Sequence, residues 1–157
     1  EMFLTSSSVH GENHNSTRTF LYINTLNGED HLWGFYTLTI KIIDISEFED
    51  GEKRKYIYKG KSPKHTDKIP VILLAQFGKN DRYTEQFSGY DLYQEAINTI
   101  QEARSKVGTQ IVMLDSVNNP KVIGFYKQFG YKEFGEVIVN EDTHDTKYQP
   151  MFINLGY

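Results

Sequence analysis

The residues whose types and spacing suit them to chemistry stand at two helix starts. Ser88-Gly89 opens a stretch in which Leu92, Ala96, Ile97, Ile100, Ala103 and Val107 recur at three- and four-residue spacing, the mark of an amphipathic helix over 89–107. A helix start offers unpaired N–H groups and the positive end of the dipole, so it can hold an anion. Gly89 lets a ligand approach the backbone closely, although a glycine there also serves as a plain loop residue. The second start is Asn119-Pro-Lys-Val-Ile-Gly-Phe-Tyr-Lys-Gln-Phe-Gly-Tyr131, of the form N-x5-F-Y-x3-G-Y. Asn118 or Asn119 is a good N-cap, and Pro120 suits the first helical position. Val122, Phe125, Tyr126 and Phe129 fall on or near one face, and Gly130 is a left-handed cap.

Several chemistries are excluded. The chain has no cysteine, which removes disulfides, thiol nucleophiles and thiolate metal sites and fits a cytoplasmic home. The five histidines, at 10, 14, 31, 65 and 144, show no metal-ligand spacing, so no metal site is expected. The fingerprints of dinucleotide-binding and P-loop proteins are absent. Asp115 and Glu136 are carboxylates available as general bases, or as ordinary strand-end and surface charges. Asn15-Ser16-Thr17 matches a glycosylation sequon, a pattern common by chance. The longest apolar run, Val71 to Ala75, is too short to span a bilayer, so no membrane association is expected.

At 157 residues, with 38% hydrophobic and 14% aromatic residues, the chain is long enough to bury one core. The expectation is a single domain over 1–157, with an N-terminal element left out before Glu1. The net charge is −4, but it is unevenly spread. Seven basic residues (Lys53, Arg54, Lys55, Lys59, Lys61, Lys64 and Lys68) lie in 51–68, against Glu52 and Asp67. This basic segment on an acidic body is either a solvated loop or a contact for an anion such as RNA.

The positioning elements follow from pattern. Residues 1–17 are polar and weakly patterned and read as the end of a lost element followed by a loop. Thr19 to Ile23 is a strand, Asn27-Gly28 a turn, and Leu32 to Ile43 a second strand, so the pair forms an antiparallel hairpin. Ile69 to Phe77 is a nearly continuous apolar strand. The helix from Gly89 leads to the strand Thr109 to Asp115, an order that implies a right-handed crossover between parallel neighbours. After the second helix, Lys132 to Val139 and Tyr148 to Leu155 give two last strands. The expected class is α/β: a mixed sheet with an N-terminal antiparallel hairpin and a central β-α-β-α-β unit.

From about Ile69 to Phe134, the chain resembles the GNAT acetyltransferase superfamily. Its members often carry an Asn at this helix start and a Phe-Tyr pair before a Gly-aromatic step. The resemblance implies acetyl-CoA as cofactor. It implies that Tyr126 is the catalytic general acid to the coenzyme thiolate, a role a phenol can fill as charge develops on sulfur. Alternatively, Tyr126 is a core aromatic. The resemblance places Asn119 on the pantetheine arm, counts Phe125 among the cofactor-binding residues and makes the backbone at Phe77 and Gly78 a platform for the pantetheine amides. The family's Q/R-x-x-G-x-G/A loop aligns with Thr84-Glu85-Gln86-Phe87-Ser88-Gly89, where Phe87 replaces one glycine. The pyrophosphate would then meet the amides of Ser88, Gly89, Tyr90, Asp91 and Leu92, with side chains from Gln86 or Ser88.

The expected function is therefore N-acetyl transfer to a small-molecule or peptide amine by direct attack. Two alternatives stand beside it. One is a toxin-type member that acetylates aminoacyl-tRNA, with tRNA held by 51–68, although the pI of about 5.7 is low for an RNA binder. The other is a catalytically weak acyl-CoA-binding module. Exposed sheet edges or an exchanged C-terminal strand would support a homodimer.

Overall fold

Asn27 and Gly28, with φ of 54° and 84°, form the two-residue turn that joins β1 (Arg18–Leu26) to β2 (Glu29–Asp44). Two consecutive positive φ values match the twist of an antiparallel hairpin. The computed structural model describes residues 3–46, 67–139 and 147–156, so the basic residues Lys53 to Lys64 lie outside the described part. The remaining strands are β3 (Lys68–Lys79), β4 (Ile111–Val117), β5 (Lys132–Glu133), β6 (Ile138–Val139) and β7 (Lys147–Asn154). Hydrogen-bonded neighbours run β1-β2-β3-β4-β7-β5 in a seven-stranded mixed sheet, with β6 also on β7. The helices are α1 (Ser8–Asn13), α2 (Gly89–Val107) and α3 (Pro120–Lys127). The described residues group into two compact units, 3–40 with 74–108, and 41–46 and 67–73 with 109–139 and 147–156.

In the first unit β1 and β2 pair from Arg18↔Leu38 to Leu26↔Glu29, with the register slipping between Tyr22↔Gly34 and Ile23↔Leu32. Trp33 is the extra residue, a β-bulge that re-aims its side chain. Its ring stacks on Tyr83 at 5.1 Å and meets Phe87 at 5.8 Å. The Tyr36 hydroxyl ties β2 to α2 through Thr99 Oγ1 at 2.8 Å and the Glu95 carbonyl at 3.4 Å. Burial raises the pKa of that phenol, partly offset by the Thr99 bond. Leu92, Tyr93, Ala96 and Ile100 are the buried stripe of α2, the period expected from the sequence. Gly108 ends the helix at φ 65°.

The N-terminal residues expected as the end of an element and a loop are helical as far as Asn13. A π turn over Phe3–Ser7 runs into α1. Ser7, at the N-cap, makes no side-chain cap bond. Tertiary contacts hold the segment instead. Phe3 stacks on Phe35 at 5.6 Å, and the Glu12 carboxylate accepts the Thr19 N–H at 2.6 Å.

In the second unit β4 and β7 pair antiparallel from Ile111↔Asn154 to Val117↔Tyr148. Ile43, Ile45, Ile69, Val71, Ile111, Met113 and Phe152 form its core, flanked by Leu73 and Phe134. The expected strand Lys132 to Val139 is two short pieces. Gly135 takes φ 68° between them, and Phe134 turns its ring edge to Phe152 at 5.6 Å while donating its N–H to Pro150 O at 2.9 Å.

Candidate active site

The first unit holds the end of β3, the loop after it and the start of α2. Phe77 and Gly78 are half-buried at the strand end. A Cβ on Gly78 would lie 2.6 Å from the Phe35 ring, so packing requires glycine here. Asn80 is the hub of the following loop. Its N–H donates to Trp33 O at 2.8 Å and its side-chain amide to Leu32 O at 2.8 Å, which satisfies both carbonyls of the bulge. Asn80 Oδ1 accepts the Arg82 N–H at 3.1 Å, and its carbonyl accepts the Tyr83 N–H at 3.2 Å. A short 3₁₀ turn, Asp81–Tyr83, follows. Sequence reasoning missed both the bulge and this hub; Asn80-Asp81 is a turn pair, the one available signal.

Phe87 is buried and stacks on Tyr22 at 4.4 Å. Its place in the loop is therefore explained by the aromatic cluster with Tyr22 and Trp33. Gln86 is exposed, with its N–H on Tyr83 O at 3.2 Å. Ser88 is the N-cap of α2 and forms a capping box with Asp91. The Asp91 carboxylate accepts the Ser88 N–H at 2.8 Å, and the Asp91 N–H donates to Ser88 Oγ at 3.2 Å. The Leu92 N–H donates to Ser88 O at 3.3 Å, while its side chain is fully buried. Of the amides assigned from sequence to a pyrophosphate, those of Ser88, Asp91 and Leu92 are thus engaged within the helix start. Gly89 takes no part in the box, and Tyr90 is half exposed.

The second unit holds α3. Asn119 is its N-cap, accepting the Lys121 N–H at 2.9 Å, with Pro120 next. Tyr126 is buried, its ring edge-on to Phe125 at 5.2 Å and to Tyr131 at 5.9 Å. Phe125 is half-buried and also meets Phe129. Gly130 follows at φ 94°. Asp115 and Glu136 are exposed. Among the described residues no three His, Asp or Glu side chains group to hold a metal ion, and no helix is long and apolar enough to cross a membrane.

No protein-family model matches the sequence, and no curated protein does. Solved structures do match. AtaT complexed with acetyl-methionyl-tRNAfMet is similar over 98% of this chain and 79% of that one, with a TM-score of 0.68 and 22% identity. A tyrosine-to-phenylalanine variant of KacT is similar over 98% and 80%, with a TM-score of 0.70 and 17% identity. The chain has the GNAT fold. Within that fold, a tyrosine-to-phenylalanine variant of the AtaT toxin, bound to the C-terminus of the antitoxin AtaR and acetyl-CoA, matches over 98% and 78% at a TM-score of 0.66 and 19% identity. The antiparallel hairpin, the long helix after β3 and the Asn-capped helix after β4 stand in the order expected of a GNAT chain.

Proposed function

We propose that the chain is an acetyl-CoA-dependent N-acetyltransferase whose acceptor is the free amine of an aminoacyl-tRNA. The observation that carries this reading is the GNAT fold shared over 98% of the chain with AtaT, a structure complexed with acetyl-methionyl-tRNAfMet. It replaces the small-molecule or peptide amine as the preferred acceptor. The residues fit the coenzyme in chemistry. Gly78 keeps the end of β3 free of a side chain, Gly89 does the same at the helix start, and Tyr126 follows an Asn-capped helix start. Phe77, Gln86, Tyr90 and Phe125 remain its proposed neighbours.

In this reading the neutral amine nitrogen attacks the thioester carbonyl carbon. The carbon–sulfur bond breaks as the tetrahedral intermediate collapses. Tyr126 gives its phenolic proton to the leaving sulfur, the nitrogen releases its own proton to solvent, and the Tyr126 phenolate takes a proton back from solvent, which restores the balance. A phenol held in a buried site is suited to this task because a departing thiolate is poorly solvated there. The test is transfer of labelled acetyl from acetyl-CoA to a panel of aminoacyl-tRNAs. Labelled tRNA is the expected product, and no labelling of any tRNA would refute the reading.

One observation favours a weaker acyl-CoA-binding module instead. The Asp91 carboxylate occupies the helix start that would meet the pyrophosphate, and like charges repel. Calorimetric binding of acetyl-CoA without measurable transfer would select it.

A further inference from the structure

His10 and His14 stand four residues apart, a spacing that brings two side chains together only when the chain between them is helical. In a loop the two would be unrelated, which is why the sequence suggests no ligand pair here. The turn of α1 makes them neighbours. Their ring centroids lie 4.1 Å apart, the planes tilted by 33°, and both residues are exposed.

The pair is oriented as well as adjacent. The His10 carbonyl accepts the His14 backbone N–H at 3.1 Å and His14 Nδ1 at 2.9 Å. A carbonyl can only accept, so His14 Nδ1 carries a proton and Nε2 is left to offer its lone pair. A hydrogen bond from the other ring nitrogen to a carbonyl is also what fixes the tautomer of a metal-ligating histidine.

The backbone beneath the rings is closed by its own bonds. The Asn15 N–H donates to Glu12 O at 3.0 Å and the Ser16 N–H to Gly11 O at 3.0 Å. A Cβ on Gly11 would collide with Thr17 Oγ1, so the helix end packs tightly on the chain that follows. The adjacent carboxylate is already committed. Glu12 accepts the Thr19 N–H at 2.6 Å and the Arg18 guanidinium at 3.2 Å. The donor set is therefore two imidazoles and no carboxylate. Imidazole nitrogens suit borderline divalent transition ions, whereas magnesium and calcium call for oxygen ligands.

We propose that His10 and His14 chelate one borderline divalent transition-metal ion, with Nε2 of His14 and a ring nitrogen of His10 as ligands and water completing the shell. The ion clamps the last turn of α1. Ser7 gives that helix no side-chain cap bond, so a clip between its side chains steadies an element otherwise held by tertiary contacts. The proposal is independent of the acetyltransferase reading.

The experiment titrates nickel, zinc and magnesium chloride separately into the full chain by calorimetry near neutral pH. It compares the unaltered chain with His10→Gln, His14→Gln and, as a control, His31→Gln, which removes an imidazole that meets Tyr83 instead. The expected result is one nickel or zinc ion per chain, weakened at least about tenfold by either His10→Gln or His14→Gln, because each leaves a single imidazole. His31→Gln should change nothing, and magnesium should show no saturable binding. Amide hydrogen exchange supplies a second readout. Nickel should slow exchange at His14, Asn15 and Ser16, whose N–H groups close the turn, in the unaltered chain and in neither variant of the pair. Binding that survives both substitutions, or that is lost with only one of them, overturns the proposal. Saturable magnesium binding, or unchanged exchange at those three amides, overturns it as well.

Discussion

Ser88 and Asp91 satisfy each other at the first turn of α2: the carboxylate takes the Ser88 hydroxyl at 2.6 Å and its N–H at 2.8 Å. The Ser88 hydroxyl, followed by its N–H, holds the Asp91 carboxyl below the usual carboxylate range. A depressed folded value means stability that is fully present above the unfolded value and is lost as pH falls through the folded one. Asp91→Asn should therefore flatten the acid limb of the stability curve. Ser88→Ala should cost about 1 kcal/mol at neutral pH through the lost cap. Urea midpoints at about pH 7 and about pH 3 check both; an unchanged acid limb in Asp91→Asn contradicts the assignment.

The same carboxylate bears on the coenzyme. If the pyrophosphate meets this helix start, Asp91→Asn removes a like charge and loosens the hold on the Ser88 N–H. Acetyl-CoA should then bind severalfold tighter even though the protein is less stable. Calorimetry on both forms decides the point, and unchanged affinity would move the pyrophosphate elsewhere.

Gly34 faces both Leu92 methyl carbons at 3.0 Å and the Gly78 carbonyl at 3.2 Å, counted from where a Cβ would stand. Leu92 is fully buried, so its methyls would have to shift within the core. Gly34→Ala should cost about 1–3 kcal/mol by overpacking, read as a lower urea midpoint with an unchanged slope. A neutral result would mean that β2 and α2 can separate locally.

Much of this arrangement was legible in the chain because it is written locally. Asn27-Gly28, Asn119-Pro120 and Gly130 each specify a turn or cap without help from distant residues, whereas the Ser88–Asp91 box reads in the sequence only as a helix start. The N-terminal helix was not legible, because Ser7 provides no cap bond and the segment depends on Phe35 and Thr19. The bulge at Trp33 was hidden for a similar reason, since only its partner strand reveals the extra residue. Phe87 looked like a lost glycine in a ligand loop, and only the Tyr22 and Trp33 rings show that it is anchored in the core. The break at Gly135 split a strand whose residue pattern alone ran on without interruption.

Asn80 joins the bulge to the loop through its side chain in both directions, donating to Leu32 O and accepting from the Arg82 N–H. Asn80→Ala leaves a half-buried carbonyl and an amide without these partners, at a cost of about 1–3 kcal/mol. Amide hydrogen exchange should rise at Arg82 and Tyr83 before it rises in α2; uniform acceleration across the unit would show that the loop has no separate anchor.

Tyr126 is the residue on which the proposed chemistry turns. Its ring is buried against Phe125 and Tyr131, so phenylalanine keeps the packing and deletes only the hydroxyl. If that hydroxyl protonates the leaving thiolate, Tyr126→Phe should lower kcat by about 10²–10⁴-fold. Acetyl-CoA affinity should stay nearly unchanged, because a proton given late in the reaction adds nothing to ground-state binding. A fall in affinity with kcat preserved would instead mark Tyr126 as a packing or binding residue. An unchanged kcat with any aminoacyl-tRNA would show that the thiolate leaves without this phenol.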